Sequence, residues 1–120
     1  MKIYVSHSTQ FNYQEELYRP LTSSKLYTSN EIILPHKDSL ELFSSKDYFT
    51  RCDLVIAEVS FPSTGVGIEL GWADAQNIKI ICVYKTGSKF SSSLKAVSKY
   101  FIEYSSPEDL IKKLEETVSL

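Results

Sequence analysis

The chain has 120 residues, the length of one ordinary domain and too short for two that each bury a core. Hydrophobic residues make up 42% and charged residues 23%, which predicts a globular protein and excludes disorder, a coiled coil and a collagen-like repeat. Thirteen Lys and Arg against fifteen Asp and Glu leave a net charge of −2, without the basic excess that binds nucleic acids or anionic membranes. We therefore predict one domain over residues 1–120, with neither a nucleic acid nor a membrane as partner.

No apolar run approaches the roughly 20 residues of a membrane span, and the N-terminus lacks the layout of a signal peptide. We therefore expect a cytoplasmic protein. Two cysteines, Cys52 and Cys82, and two histidines, His7 and His36, are too few and too widely spaced for a metal-binding motif. We expect buried thiols and no metal.

The first half of the chain predicts two strands and two helices. Residues 2–6 form a β-rich run that ends in a polar loop. Apolar residues recur every four positions through residues 11–24, which indicates an amphipathic helix bent or interrupted at Pro20. A short second strand covers residues 31–34, and a second helix, with weaker helix formers, covers residues 40–52.

The second half continues the alternation of strands and helices. Residues 53–59 and 79–84 are apolar runs typical of strands buried on both faces. Between them, Pro-Ser-Thr-Gly at residues 62–65 signals a helix start, and the apolar spacing continues this helix to Asn77. The remaining elements are a polar loop over residues 86–93, a short helix over 94–98, a strand over 100–104 and a last helix whose predicted N-cap is Ser106.

This order of elements predicts a parallel sheet, because parallel strands need crossover connections. We predict a flavodoxin-like three-layer sandwich whose five strands are ordered 2-1-3-4-5. The chain then reverses direction between strands 1 and 3, and open α/β sheets bind ligands in the crevice beyond the carboxyl ends of such strands. Strand 1 delivers Ser6, His7 and Ser8 to this crevice, and strand 3 delivers Glu58 and Ser63.

Residues 57–73 place a serine, two glycines and a glutamate at the mouth of the crevice. Gly65 and Gly67 let the backbone approach a ligand, and the first turn of a helix binds anions such as phosphate. Most helical glutamates are solvent-exposed, but the position of Glu69 beside the switch point favours a functional carboxylate. A Rossmann cofactor site is excluded, because the third glycine, Gly71, is one residue late and the motif follows strand 3.

Two further residues have roles that the sequence leaves open. Glu58, at the end of strand 3, is equally suited to hold a ribose hydroxyl or a backbone amide. Tyr4, on strand 1, is typical of a core residue, although its hydroxyl is within reach of the crevice.

The central motif reads Ala-Glu-Val, then Pro-Ser-x-Gly-x-Gly-x-Glu-Leu-Gly-x-Ala, within residues 57–73. This motif, together with Tyr4, the polar loop after it and the predicted strand over residues 53–59, resembles the nucleoside 2-deoxyribosyltransferase superfamily. The likeness is greatest to the 2′-deoxynucleoside 5′-phosphate N-hydrolases of that superfamily. The resemblance implies cleavage of N-glycosidic bonds in deoxynucleosides or their 5′-monophosphates, without a metal or cofactor. It also implies that Glu69 attacks C1′, since a carboxylate can trap an oxocarbenium-like centre as a glycosyl ester.

The same resemblance implies a phosphate site. Ser8, Ser63 and Ser93 match serines that surround the 5′-phosphate in the hydrolases, where a neighbouring subunit supplies the residue matching Ser93. Helix N–H groups around Gly65 and Gly67 would complete an uncharged cradle. The expected partners are therefore a small nucleotide or nucleoside and a second copy of the chain, in a homodimer or a higher homo-oligomer.

Two positions depart from the family's pattern. The family has an aspartate eight positions before the residue matching Asp53, and ungapped counting places Ser45 there. Asp47 lies close, but residues two apart on a helix differ by about 200° in direction, so Asp47 substitutes only if the helix register shifts. A small residue after the first strand is replaced by His7, which either narrows the pocket or supplies a proton donor with a pKa near neutrality.

We therefore predict an N-glycosidase that hydrolyses (deoxy)nucleoside 5′-monophosphates, with Glu69 as nucleophile and Asp47 and Tyr4 as catalytic partners. The alternatives are a base-exchanging deoxyribosyltransferase and a nucleotide-binding module that has lost efficient catalysis through Ser45. A TIR-like signalling domain is a third, because residues 4–8 resemble the opening strand of that fold, but nothing later in the chain supports it. The residues predicted to bind substrate are Ser6, His7, Ser8, Ser45, Glu58, Ser63, Gly65, Gly67 and Ser93.

Overall fold

Five parallel strands form the centre of the protein. The computed structural model describes residues 1–37 and 49–118. The strands lie in the order β2-β1-β3-β4-β5, which confirms the predicted topology and the flavodoxin-like fold class. Their bounds are β1 Lys2–His7, β2 Glu31–Ile33, β3 Leu54–Glu58, β4 Lys79–Lys85 and β5 Tyr100–Tyr104.

Helices cover both faces of the sheet. They are a π-helical turn Gln14–Tyr18, α1 Arg19–Thr22, α2 Lys25–Ser29, α3 Thr64–Ala75, a 3₁₀ helix Ser92–Ala96 and α4 Pro107–Val118. Across residues 1–37 and 49–118, no helix has both the length and the apolar character needed to cross a membrane. The second predicted helix, over residues 40–52, lies mostly outside the described residues.

The helix predicted over residues 11–24 is divided rather than continuous. Pro20 has no N–H and cannot donate to the carbonyl of Glu16, four residues back. Instead, the N–H of Arg19 donates to the carbonyl of Gln14, five residues back, and the turn before the proline widens into a π-helix. The interruption predicted at Pro20 is therefore present, as a widened turn ahead of the proline.

The strands are buried on both faces, so their side chains alternate between two cores. The core beneath α1, α2 and α4 takes Ile3, Val5, Leu54, Ile56, Ile81 and Val83. The core beneath α3 takes Tyr4, Val55, Ala57, Val59, Ile80 and Cys82. Cys82 is buried, as predicted, whereas Cys52 is only half-buried.

Serines cap the two longest helices in the described part of the chain, as the sequence predicts. The Ser63 hydroxyl accepts a hydrogen bond from the Val66 N–H at 3.3 Å at the start of α3. The Ser106 hydroxyl accepts one from the Asp109 N–H at 3.1 Å at the start of α4. Such caps satisfy N–H groups that have no partner within the helix.

Replacing Gly71 by Ala should stabilise the fold by about 1 kcal/mol, because alanine loses less backbone entropy than glycine in a helix. Gly71 lies inside α3, and apart from its chain neighbours and the nearby helix backbone, a Cβ added there meets no atom of the described residues within 4 Å. Thermal unfolding of the variant should show a raised Tm. Gly87→Ala is the matched control with the opposite sign: its φ of +85° strains alanine, so its Tm should fall. A lower Tm for Gly71→Ala would contradict the prediction and show that another surface packs on α3.

Candidate active site at the end of the sheet

The Glu69 carboxylate is held by two hydroxyls from β1. The Tyr4 hydroxyl donates to Oε2 at 2.5 Å, and the Ser6 hydroxyl donates to Oε1 at 2.7 Å. Tyr4 and Ser6 are two residues apart on one strand, so both side chains point toward α3. Hydrogen bonds to a carboxylate are charge-assisted and fix its orientation. The arrangement therefore presents a half-buried, oriented carboxylate in the second turn of α3.

Tyr4 serves both as a core residue and as a partner of Glu69. Its side chain is 1% exposed, and its ring packs edge-on against Phe49 with ring centroids 5.0 Å apart. Only the hydroxyl is directed at the crevice, where it meets Glu69. The structure thus brings together Tyr4, Ser6 and Glu69 from the set of residues singled out in the sequence.

His7 lies on the opposite face of the sheet from Glu69, in an aromatic cluster. Its Nδ1 donates to the Ser8 carbonyl at 2.8 Å, and its Nε2 accepts from the Tyr18 hydroxyl at 2.6 Å. Burial lowers the pKa of His7 to about 4, because the cluster disfavours the charged imidazolium. Of the two roles left open for His7, a proton donor with a pKa near neutrality does not fit this lowered pKa.

Glu58 also lies on the face away from Glu69. Its carboxylate accepts hydrogen bonds from the Ser60 N–H at 2.6 Å, from the Ser60 hydroxyl at 2.9 Å and from the Tyr104 hydroxyl. Burial raises its pKa above the ordinary value for a glutamate. The sequence left two roles open for Glu58, to hold a ribose hydroxyl or a backbone amide. These contacts correspond to the second role, because the carboxylate binds the Ser60 N–H.

A cavity of about 330 Å³ lies beside the N-terminus of α3. Ser63, Gly67 and Ser93 line it together with Ser91, so one chain brings two of the three predicted phosphate-binding serines to the same space. The resemblance had implied that a neighbouring subunit supplies Ser93. The remaining lining residues are Val59, Phe61, Pro62, Thr64, Val66 and Leu94.

The structure places the other two predicted phosphate-site residues outside that lining. Ser8 is buried in the loop after β1, where its hydroxyl accepts from the Gln10 N–H at 3.0 Å. Gly65 lies on the first turn of α3, and a Cβ added there would stand 3.8 Å from the Ser63 hydroxyl. Both flank the crevice.

A pair of stacked phenylalanines spans the crevice between the loops after β1 and β3. Phe11 and Phe61 have ring centroids 5.1 Å apart and planes inclined by 13°. The Lys85 ammonium lies 5.2 and 5.4 Å from their centroids and 2.5 Å from Oε1 of Glu16. Phe11 also lines a second cavity, of about 510 Å³, together with His36.

Sequence reasoning did not select Phe11, Phe61, Lys85 or His36 as site residues. Three of them could have been found from the rule that open α/β sheets bind ligands beyond the carboxyl ends of their strands. Phe11, Phe61 and Lys85 all lie at or just beyond those ends of the central strands. Within the described residues, no group of three His, Cys, Asp or Glu side chains is placed to hold a metal ion. Ser45 and Asp47 lie outside the described residues, so their roles stay predictions.

A solved structure shares the fold of this chain. A CMP N-glycosidase from Clostridium botulinum, BcmB, superposes with a TM-score of 0.73 over 98% of this chain and 99% of that one, at 22% sequence identity. At that identity the likeness shows the fold alone, which is that of a five-stranded, flavodoxin-like α/β sandwich.

Comparison of sequences gives the relatives. No protein-family model matches the chain. The chain is similar in sequence to two 5-hydroxymethyl-dUMP N-hydrolases. That of Danio rerio is 36% identical over 66 residues, which cover 52% of this chain and 46% of that protein. That of Esox lucius is 33% identical over 81 residues, which cover 68% of this chain and 56% of that protein. A protein of Syntrophotalea carbinolica, provisionally named 2′-deoxynucleoside 5′-phosphate N-hydrolase 1, is 35% identical over 75 residues, 60% and 53%. The chain spans about half the length of these relatives, and they fit the nucleoside 2-deoxyribosyltransferase-like family, as the central motif predicts.

Proposed function

We propose that the protein is an enzyme that hydrolyses the N-glycosidic bond of (deoxy)nucleoside 5′-monophosphates, releasing the base and a sugar 5-phosphate. The observation that carries this proposal is the Glu69 carboxylate, oriented by Tyr4 and Ser6 at the carboxyl ends of the central strands. The names of the relatives support the reaction class, since they are N-hydrolases of deoxynucleoside 5′-phosphates.

In the proposed mechanism, a Glu69 oxygen attacks C1′ while the C1′–N bond breaks, and the base leaves with the bonding electrons and takes up a proton from solvent. Water then attacks C1′ of the glycosyl ester and loses a proton to solvent, and the C1′–O bond to Glu69 breaks, which regenerates the carboxylate. The Tyr4 and Ser6 hydroxyls each bind one oxygen of the carboxylate and hold it in place before the first step. They also stabilise the negative charge that returns to the carboxylate in the second step.

We place the 5′-phosphate in the cavity beside α3. Ser63 accepts a hydrogen bond from the Val66 N–H, so its own hydroxyl hydrogen remains to be donated to a phosphate oxygen. Ser93 lines the same cavity, and the partial positive charge of the helix N-terminus favours an anion there. Val66, which lines the cavity, and Glu69 are three residues apart on α3 and so lie on the same side of the helix. A phosphate bound at the first turn would therefore bring the sugar toward the nucleophile.

Incubation of the purified protein with each common deoxynucleotide and nucleoside, followed by chromatography, tests the proposed function. We expect free base and deoxyribose 5-phosphate from at least one 5′-monophosphate. Absence of base release from all of them would overturn the proposal. Formation of a new nucleotide when a second base is added would instead establish the transferase.

Replacing Ser93 by Ala should raise the KM for a 5′-monophosphate about tenfold, because one hydrogen bond to a charged group is lost. Steady-state kinetics measure this, and the KM for the matching nucleoside should not change. Ser92→Ala is the matched control, because Ser92 does not line the cavity. An unchanged KM in Ser93→Ala would remove Ser93 from the phosphate site.

Mixing Ser93→Ala with Glu69→Gln distinguishes the two possible sources of Ser93. We expect the KM of the mixture to stay as high as that of Ser93→Ala alone, because the cavity combines Ser63 and Ser93 of one chain. A KM restored toward the wild-type value would require a homo-oligomer in which Ser93 of one chain completes the site of its neighbour.

A further inference from the structure

A buried carboxylate lies at the end of β3 on the face of the sheet opposite Glu69. Glu58 is 1% exposed, and no Lys, Arg or His of the described residues lies within salt-bridge distance of it. Burying a carboxylate costs free energy unless hydrogen bonds compensate it. A carboxylate in such a place therefore depends on the donors around it.

The hydrogen bonds around Glu58 connect the carboxyl ends of β3, β4 and β5. Oε1 of Glu58 accepts from the Ser60 N–H at 2.6 Å, while Oε2 accepts from the Ser60 hydroxyl at 2.9 Å and from the Tyr104 hydroxyl on β5. The Ser60 hydroxyl in turn accepts from the Lys85 N–H on β4 at 2.7 Å. Ser60 is thus attached through its backbone and its side chain to β3, and through its hydroxyl to β4.

Ser60 is the second residue of the short connection, residues 59–63, that leads from β3 to the candidate phosphate site. Phe61 and Ser63, further along that connection, line the cavity of about 330 Å³, and Ser63 caps α3. A shift of Ser60 would therefore move the cap and the first turn of α3, where the phosphate is placed.

We infer that Glu58 is a positioning residue of the phosphate site: its carboxylate fixes Ser60, and through Ser60 the connection that presents Ser63 and the first turn of α3 to the 5′-phosphate. This inference rests on the proposed function. Glu58 does not contact the substrate, because its side chain is buried on the face away from Glu69 and both of its oxygens accept hydrogen bonds from the protein.

Glu58→Gln tests the inference, because glutamine cannot accept from all three donors at once. We expect the Kd for a deoxynucleoside 5′-monophosphate to rise about tenfold, with the Kd for the nucleoside and the kcat changed less than about threefold. Calorimetry measures both affinities, and kinetics measure kcat. Ser60→Ala should likewise weaken nucleotide binding more than nucleoside binding. The double variant Glu58→Gln/Ser60→Ala should bind the nucleotide no more weakly than either single variant, because both changes remove the same contact between Glu58 and Ser60.

Tyr104→Phe is the control variant, since it removes a donor to Glu58 but leaves both contacts to Ser60. The phosphate affinity of this variant should change less than twofold. An equal loss of affinity for nucleotide and nucleoside in Glu58→Gln would overturn the inference. An unchanged nucleotide affinity in a folded Glu58→Gln variant would also overturn it. So would a Tyr104→Phe variant that binds the nucleotide as weakly as Glu58→Gln does.

Amide hydrogen exchange of the free protein separates this inference from the proposed function. Exchange of the Ser60 N–H should be at least about tenfold faster in Glu58→Gln than in the wild type, because its acceptor is weakened. Faster exchange in a protein that binds no nucleotide would support the anchoring of Ser60 and overturn its link to a phosphate site. Unchanged exchange would overturn the anchoring itself, whatever the protein's activity.

Discussion

Replacing Glu69 by Gln should lower base release by at least about 10³-fold, the effect expected when a covalent nucleophile is lost. Glutamine has nearly the same volume and keeps one acceptor oxygen for the Tyr4 or Ser6 hydroxyl, so the fold should persist. Turnover is measured by chromatography of the released base, and binding of the 5′-monophosphate by calorimetry. Affinity and Tm should remain close to those of the wild type.

Glu108→Gln provides the matched control, because it makes the same change at an exposed position on α4. It should alter neither turnover nor Tm. Full activity in Glu69→Gln would end the glycosidase proposal. A large fall in the Tm of that variant, without a specific loss of turnover, would show that Glu69 is a structural residue.

Ser45→Asp should raise base release by about 10² to 10⁴-fold, the usual contribution of general acid–base assistance. The family's aspartate falls on this position by ungapped counting, and a serine hydroxyl neither carries negative charge nor shuttles a proton as a carboxylate does at neutral pH. The wild-type protein is accordingly expected to be slow. Initial rates with a saturating 5′-monophosphate measure the gain.

Ser44→Asp is the control for Ser45→Asp, since it adds the same charge one position away. Asp47→Asn should matter little if the ungapped alignment is right. Loss of a fast wild-type activity in Asp47→Asn would reverse the assignment and make Asp47 the catalytic partner, with the helix register shifted to bring it into the crevice.

The sequence was sufficient to predict the sheet, because each strand is an apolar run and each crossover has local helix signals. Residues 100–104 illustrate this, since the predicted strand and β5 have the same bounds. The π-helical turn before Pro20 was not predicted. Periodicity indicates that a helix exists, whereas the way in which a chain accommodates a missing N–H depends on how the flanking turns pack.

Part of the candidate site could also be predicted. The central motif led to Glu69, and the period of two in β1 implies that Tyr4 and Ser6 share a face while His7 takes the other. By the same alternation, His7 and Glu58 point away from Glu69, although both were predicted to lie in the crevice. The contact between Phe11 and Phe61 joins two loops, and no local pattern encodes it.

Under the proposed function, Ser63 must meet two requirements that restrict what can replace it. As a helix cap, it would be matched by aspartate, whose charge the helix dipole also favours. As a phosphate ligand, it must be neutral and keep a hydrogen to donate, and an aspartate would repel the substrate. A search for thermostable variants that scored stability alone would accept aspartate at this position, and the selected variant would lose affinity for the 5′-phosphate. The residue at the start of α3 is thus a point where selection for stability and selection for activity diverge.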